Sequence, residues 1–407
     1  MESSSMNGNV YCNKCHRIEN RHKRSVLFNN NQDLEAYIER KKDVLVFRDE
    51  KKCILNLGRF RLKKMKAIDF FCGGGGMTYG LRQAGIDVVA GVDFDNDAKE
   101  TYETNNPGTK FINADVGKLD VSFFEKEMDV KKDDDQLVLV GCSPCQYYSL
   151  IRSSKEKSKK SKGLLLKFWK FIDYYNPGYV LVENVPGILD NKKTVLPEFL
   201  RKLRKKGYTH IVQEVVNMKD YGVPQNRRRF SLIATRLNRE LHLPEQTDAV
   251  LTVRDVLGEE NGFEKISAGF VDSTEKFHST MKLSEKNLKR LKKTRKNGGT
   301  RLCWKDDPEL QLPCYKGKDT SFLDVYGRMY WNKPAPTITT KFYSISNGRF
   351  AHPQENRGLS IREGATLQSF PADYKFCTSS LITAARLIGN AVPPAFAKKI
   401  GEVICEQ

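Results

Sequence analysis

Apolar positions recur along this chain in two spacings. Unbroken apolar runs at Met65–Phe71 (Lys66 apart), Val88–Val92, near Lys110–Asn113, Leu137–Val140 and Tyr179–Val182 have the length and β-branched content of buried parallel strands. His210–Val216 and Arg229–Ala234 instead alternate apolar with polar, the pattern of an antiparallel pair. Helical stretches fall between the runs. One begins near Met77, and another covers Gly163–Tyr175 until Asn176-Pro177-Gly178 stops it. Strand and helix in alternation predict an α/β fold with a mostly parallel sheet. From about residue 250 to 345 the alternation is lost. There the chain is basic, notably over Lys282–Arg295, and Ser284 is placed to cap one short helix. Residues 1–64 read as an extension, with a short helix over Asp33–Lys41 and a hairpin pairing Val44–Phe47 with Cys53–Leu55. The charged segment Asp120–Asp135 reads as surface.

The strand ends carry the candidate chemistry, because open α/β sheets place ligands at their carboxyl edge. The first strand runs into Asp69-Phe70-Phe71-Cys72-Gly73-Gly74-Gly75-Gly76 and then a helix, the first half of a nucleotide-binding βαβ unit. The glycine spacing is not that of a pyrophosphate grip, since Thr78 stands where a third glycine is expected. Asp93 ends the second strand and suits two ribose hydroxyls, with Phe94 beside it for an adenine face; Asp115 ends the third. The plain alternative for each carboxylate is a solvated turn or a helix cap. The Leu137–Val140 run leads into Gly141-Cys142-Ser143-Pro144-Cys145-Gln146, which sets the Cys145 thiol at a crevice mouth. The Tyr179–Val182 run ends in Glu183-Asn184-Val185, placing an acid at the same edge, one strand over if the strands run in order. In Gln225-Asn226-Arg227-Arg228-Arg229 the period of two puts Arg227 and Arg229 on one face.

Charge narrows the partner. Lysine and arginine number 69 against 50 acids, a formal net charge of +19 over 407 residues, which suits a polyanion and first of all nucleic acid. Between Arg152 and Gly163 lie five lysines and four serines with a single acid, a candidate lid that closes on phosphates. Ten irregularly spread cysteines are not a disulfide framework. Met1–Val10 has no apolar signal core, and no run reaches the ~18–20 apolar residues of a membrane span. A protein of the cytoplasm and its nucleoid is the expectation. Cys12-x-x-Cys15-His16, with His22 further on, leaves a zinc knuckle open as the role of the extension, although half a ligand set is not a site; no metal is expected elsewhere.

Taken in order, these residues resemble the cytosine carbon-5 methyltransferases that use S-adenosylmethionine, over most of residues 66–407. Asp69-x-Phe71-x-Gly73-x-Gly75-Gly76 resembles the family's first motif, Pro144-Cys145-Gln146 the nucleophile motif, Glu183-Asn184-Val185 the acid motif and Gln225-x-Arg227-x-Arg229 the arginine motif. Arg362-Glu363 through Gln368-Ser369-Phe370-Pro371 and Gly389-Asn390-Ala391-Val392-Pro393-Pro394 resemble the last two. Cys72, Tyr147, Tyr148 and Cys142 depart from the usual residues around the first and second of these motifs.

The resemblance implies a Rossmann-like methyltransferase domain, mostly parallel with an antiparallel hairpin, plus a smaller, irregular target-recognition domain. It implies Cys145 as the nucleophile toward a flipped-out cytosine, Glu183 as the acid, Arg227 holding the base with Arg229 behind it, and Gln146 filling the gap in the duplex. Asp69, Phe71, Gly73, Gly75, Gly76, Asp93, Phe94, Asp115, Val116, Asn390 and Val392 would line the cofactor site. The expected division is 1–64 extension, 65–250 catalytic domain, 251–345 target-recognition domain and 346–407 a return segment completing the catalytic domain. The expected partner is double-stranded DNA, with room for a cognate restriction endonuclease that acts separately; no membrane is expected, and the enzyme is expected to be a monomer. A tRNA cytosine methyltransferase and a DNA-binding module with a decayed site are the alternatives. The basic recognition segment disfavours the first, and the full set of reactive residues disfavours the second.

Overall fold

The computed structural model describes residues 65–144, 163–190 and 194–406, together with the backbone of six short strands within 1–64. The chain divides into two compact units, Met1–Lys64 and Met65–Gln407. In the first, β1 (Ser3–Met6) pairs with β2 (Asn9–Cys12). A four-stranded sheet there joins β3 (Arg17–Glu19), β4 (Ser25–Leu27), β5 (Leu45–Asp49) and β6 (Lys52–Asn56) in the order β4-β3-β6-β5. The antiparallel β5–β6 pair is the expected hairpin. The Asp33–Lys41 segment lies outside the described residues, as do Cys15, His16, His22 and the side chain of Cys12. Among the described residues no group of three or more His, Cys, Asp or Glu is placed to hold a metal ion.

The second unit is built on a seven-stranded sheet. Its strands are β7 (Lys66–Phe70), β8 (Asp87–Asp93), β9 (Lys110–Asn113), β10 (Leu137–Gly141), β11 (Tyr179–Asn184), β12 (His210–Asn217) and β13 (Arg228–Thr235). The order is β12-β13-β11-β10-β7-β8-β9. The five strands from β11 to β9 pair in parallel, and β13 runs antiparallel to both β11 and β12. The expected mostly parallel sheet with one antiparallel hairpin is therefore present. The chain reverses direction across the sheet between β7 and β10, so their carboxyl ends flank the crevice where such folds bind ligands.

Both sheet faces are covered, which is why the central strands are apolar throughout rather than alternating. Along β10, Leu137 and Leu139 point into one core with Ile68, Phe70, Phe168, Phe171 and Phe199. Val138 and Val140 point into the other, with Met77, Leu81, Phe396 and Ile400. The first face is covered by α3 (Phe123–Met128), α4 (Leu164–Tyr175) and α6 (Leu196–Lys205), the last burying Leu196, Phe199 and Leu203 on one stripe. The second is covered by α1 (Gly76–Gln83) and α11 (Pro394–Cys405). The helices α2 (Lys99–Asn105), α5 (Gly187–Asp190), α7 (Val253–Val256) and α8 (Glu285–Lys293) complete the order up to the return segment. That segment adds α9 (Ile361–Leu367) and α10 (Leu381–Asn390) before α11.

The structure corrects the reading of Asp120–Asp135 as mere surface. It contains α3, and Phe124 and Val130 are buried in the main core. Residues 251–345 are irregular, as expected, and build part of a small core from Leu291, Trp304, Leu310 and Tyr326. Ser284 caps α8, its hydroxyl accepting from the Asn287 N–H at 3.3 Å. No helix among the described residues is long and apolar enough to cross a membrane.

Candidate active site

The glycine turn after β7 is held from both sides. Phe71 and Cys72 donate their N–H groups to the Val92 carbonyl at the end of β8, at 2.7 and 3.2 Å. Gly73 N–H donates to Asp93 Oδ2 at 2.9 Å, and Asp93 Oδ1 accepts from Asp95 N–H at 2.9 Å. Gly73 has a φ of +49°, and a Cβ added there would meet nothing within 4 Å, so the turn opens onto free space. Gly76 is the opposite case: a Cβ would lie 2.5 Å from the Val392 carbonyl oxygen. The turn thus needs glycine at one end for conformation and at the other for close approach.

Beneath the turn, Asp69 is fully buried. Its Oδ2 accepts from the Thr78 hydroxyl at 2.8 Å, which also meets the Tyr102 hydroxyl at 2.9 Å; its Oδ1 has no partner. Burial pushes its carboxyl up to about 7, against the pull of the Thr78 hydrogen bond. Asp93 is pushed up to about 6 by burial, opposed by the N–H groups of Gly73 and Phe94 and by Arg386. Phe94 is 73 % exposed beside it. Thr78, Tyr102 and Arg386 were not singled out from the sequence. Thr78 reads in the sequence only as a missing glycine, although a hydroxyl in the first turn of the helix that follows a strand-end aspartate is a signal of its own.

The ends of β10 and β11 carry the loop that leads to Cys145 and the acid Glu183. Gly141 pairs in register with Val182, so the residue following each strand position lies at one edge. Glu183 is 8 % exposed, and Arg229 Nε lies 3.1 Å from its Oε1. Burial raises the Glu183 carboxyl, while the guanidiniums of Arg229 and then Arg227 lower it. Asn184 donates to the Ser143 carbonyl and hydroxyl, both at 3.4 Å, tying the acid's strand to the loop that leads to position 145. Cys145 and Gln146 themselves lie outside the described residues, as does the lysine-rich Arg152–Lys162 stretch. Cys142 is described: burial, then the carboxylates of Glu183 and Asp69, push its thiol well up, which keeps it protonated.

Three expected placements differ. Arg227, read as the base-holding arginine, is 2 % exposed, and its guanidinium donates to backbone carbonyls: Ile338 at 3.0 Å, Gly389 at 3.1 Å and Ala391 at 3.0 Å. Arg229, read as standing behind it, is the arginine against Glu183. The period of two put both on one face correctly, but reach was decided by a segment more than a hundred residues away. Val116 is 3 % exposed and packs in the main core, so its side chain does not line the crevice. Asp115 is half-exposed; the Gly117 N–H, and behind it Lys167 at 3.5 Å, hold its carboxyl below the usual range, as for a turn-capping residue. Asn390 is exposed at the end of α10, and Val392 is buried against the turn.

The sequence pattern of the C-5 cytosine-specific DNA methylases matches residues 65–406. The type II methylase M.HgiDII of Herpetosiphon aurantiacus is 38 % identical over 349 residues, spanning 83 % of this chain and 94 % of that protein. The type II methyltransferase M1.BsuMI of Bacillus subtilis is 31 % identical over 347 residues, 80 % of this chain and 77 % of that one. A solved prophage DNA modification methyltransferase of E. coli superposes with a TM-score of 0.64 at 21 % identity, over 84 % of this chain and 99 % of that one. A methyltransferase of Entamoeba histolytica gives 0.58 at 15 % identity, over 84 % and 98 %. The two structural likenesses speak to the fold alone.

Proposed function

This chain belongs to the C-5 cytosine-specific DNA methylases, and from that premise we propose how its own residues divide the work. The protein is a DNA (cytosine-5-)-methyltransferase with S-adenosylmethionine as its methyl donor. The observation that carries the division of roles is the Glu183–Arg229 pair at the edge of β11, next to the strand that leads to Cys145.

In this reading the Cys145 thiolate adds to carbon 6 of cytosine and the ring's electrons move toward carbon 5 and nitrogen 3. Glu183, whose carboxyl burial raises against the pull of Arg229, is the group that meets nitrogen 3 and accepts from the exocyclic amino group. Arg229 fixes that carboxyl and offsets the charge that develops on the ring. Once carbon 5 carries the methyl group, its proton passes to water, the carbon 5–carbon 6 double bond re-forms, and the Cys145–carbon 6 bond breaks to return the thiolate. Cytosine in a duplex is stacked, so it must be flipped out at a cost of a few kcal/mol. Gln146 is our candidate for the vacated space, and the lysines between Arg152 and Gly163 for the flanking phosphates.

The residues fit the cofactor. Asp93 offers a carboxylate beside the exposed Phe94 ring, the turn opens at Gly73, and Asp69 Oδ1 is a buried acceptor with no donor. Asp93 would hold the ribose, Phe94 and Phe71 the adenine, and Gly73 to Gly76 the amino-acid end, with Asn390 and Val392 across from them. Once bound, S-adenosylmethionine supplies an electrophilic methyl group on a sulfonium. Residues 251–345 would read the duplex, and the net charge of +19 supports residence on the nucleoid of the cytoplasm. The relatives carry type II names, and the reading extends to a separate endonuclease of the same specificity.

The test is transfer of a labelled methyl group to duplex DNA and, in parallel, to tRNA, with bisulfite sequencing of DNA from expressing cells. Label in DNA, at one sequence context, is the expected result; label in tRNA alone would overturn it.

A further inference from the structure

Arg227 is too deeply placed to touch a base, and what it holds instead is specific. We propose that Arg227, Gln225 and Gln368 are positioning residues for the methyl-donor site, fixing the 389–392 segment as one wall of the cofactor crevice. This rests on the cofactor reading above.

Three buried side chains tie four chain segments together. Arg227 donates to the carbonyls of Ile338, Gly389 and Ala391. Gln225, fully buried, accepts from the Ile338 N–H at 2.8 Å and donates to the Leu367 carbonyl at 2.9 Å and to Gln368 Oε1 at 2.5 Å. Gln368, also fully buried, donates to the carbonyls of Ile388 at 3.2 Å and Ala391 at 2.8 Å. Ala391 caps α10, so these donors satisfy carbonyls that every helix end leaves open. A cation there also suits the helix dipole. Only a guanidinium presents several donors in a fixed fork, so lysine cannot replace Arg227.

The wall is in direct contact with the glycine turn. The Val392 carbonyl approaches Gly76 so closely that a Cβ would sit 2.5 Å from it. A Cβ on Gly74 would meet Leu387 Cβ at 3.2 Å, and the Tyr374 hydroxyl donates to the Gly74 carbonyl at 2.5 Å. A shift of Gly389–Val392 therefore reaches the turn without slack. Burial and the neighbouring Arg229 both work against the charge on Arg227, and Glu183 favours it. An apolar side chain would fill the space with less desolvation, but it would strand the carbonyls of Ile338 and Gly389 and leave Ala391 to Gln368 alone. The same strand start thus serves both halves of the reaction, Arg229 toward the acid and Arg227 toward the donor's wall.

The test uses the full chain with Arg227→Lys, Gln368→Met and, for contrast, Arg229→Lys. Binding of S-adenosylhomocysteine without DNA is measured by calorimetry, and methyl transfer to duplex DNA gives kcat and the KM for S-adenosylmethionine. Loss of one or two buried hydrogen bonds predicts that Arg227→Lys and Gln368→Met raise Kd and KM about tenfold, with kcat within about threefold of wild type. Arg229→Lys should lower kcat and leave Kd within about twofold. An Arg227→Lys enzyme with unchanged Kd and reduced kcat would overturn the proposal and return Arg227 to the base. If that variant does not fold, an unchanged Kd in Gln368→Met overturns it equally. A wild-type chain that binds no S-adenosylhomocysteine would instead remove the cofactor reading on which the proposal stands.

Discussion

Replacing Asp69 by asparagine should flatten the pH dependence of stability. Asp69 is fully buried, and its folded carboxyl sits at about 7 against 3.8 for an ordinary aspartate. The native state therefore keeps a proton that the unfolded chain releases. Stability from this group is greatest below the unfolded value, falls as pH rises through the interval between the two, and stays low above the folded value. Integrated from about pH 5.5 to about pH 8, those two values give a loss of about 2 kcal/mol. Asparagine keeps the size and a partner for the Thr78 hydroxyl but cannot ionise. Wild type should lose about 2 kcal/mol more than Asp69→Asn over that interval. Urea unfolding followed by tryptophan fluorescence reads the right unit, because all three tryptophans, Trp169, Trp304 and Trp331, lie within 65–407. Parallel pH profiles for the two proteins would mean that Asp69 titrates as an exposed aspartate, and the account of the buried turn would be wrong.

Gly80→Ala gains about 1 kcal/mol of helix propensity but sets a Cβ 2.4 Å from the Pro394 carbonyl and 2.5 Å from Ala397 Cβ, so a net loss of about 1–3 kcal/mol is expected. A raised Tm would show that α1 and α11 have room to spare. Cys145→Ser should lose covalent capture of duplex DNA carrying 5-fluorocytosine while Cys142→Ser retains it, since burial and two carboxylates hold Cys142 as a thiol. A captured complex with the Cys145 variant would identify the wrong sulfur. Glu183→Gln should lower kcat by about a hundredfold or more with S-adenosylhomocysteine affinity unchanged, and a kcat within about tenfold of wild type would remove Glu183 as the acid.

The parallel strands were legible because a strand covered on both faces must be apolar at nearly every position, as Leu137–Gly141 is. The hairpin was legible for the converse reason: β12 alternates, with Glu214 exposed between partly buried neighbours. What escaped was set by long-range packing. The α3 helix hides one phenylalanine, Phe124, among charges, and no short window separates that from a surface loop. The roles of Arg227 and Arg229 turn on which atoms come within reach. Gly389 and Ala391 arrive there only after the chain has left the sheet and returned. Val116 shows the same limit, since a strand-end residue can face the crevice or the core, and one valine does not say which.

The cover that α11 lays over α1 has a consequence for synthesis. Until residues 392–405 have been made, Met77 and Leu81 lack Phe396, Ala397 and Ile400, and the glycine turn lacks its neighbour Val392. A growing chain holds all seven strands of its sheet by Thr235, yet the glycine turn stays without its wall until the return segment has joined it. The order of synthesis thus separates the making of the sheet from the making of its ligand crevice, and a chain cut before that segment keeps the first without the second.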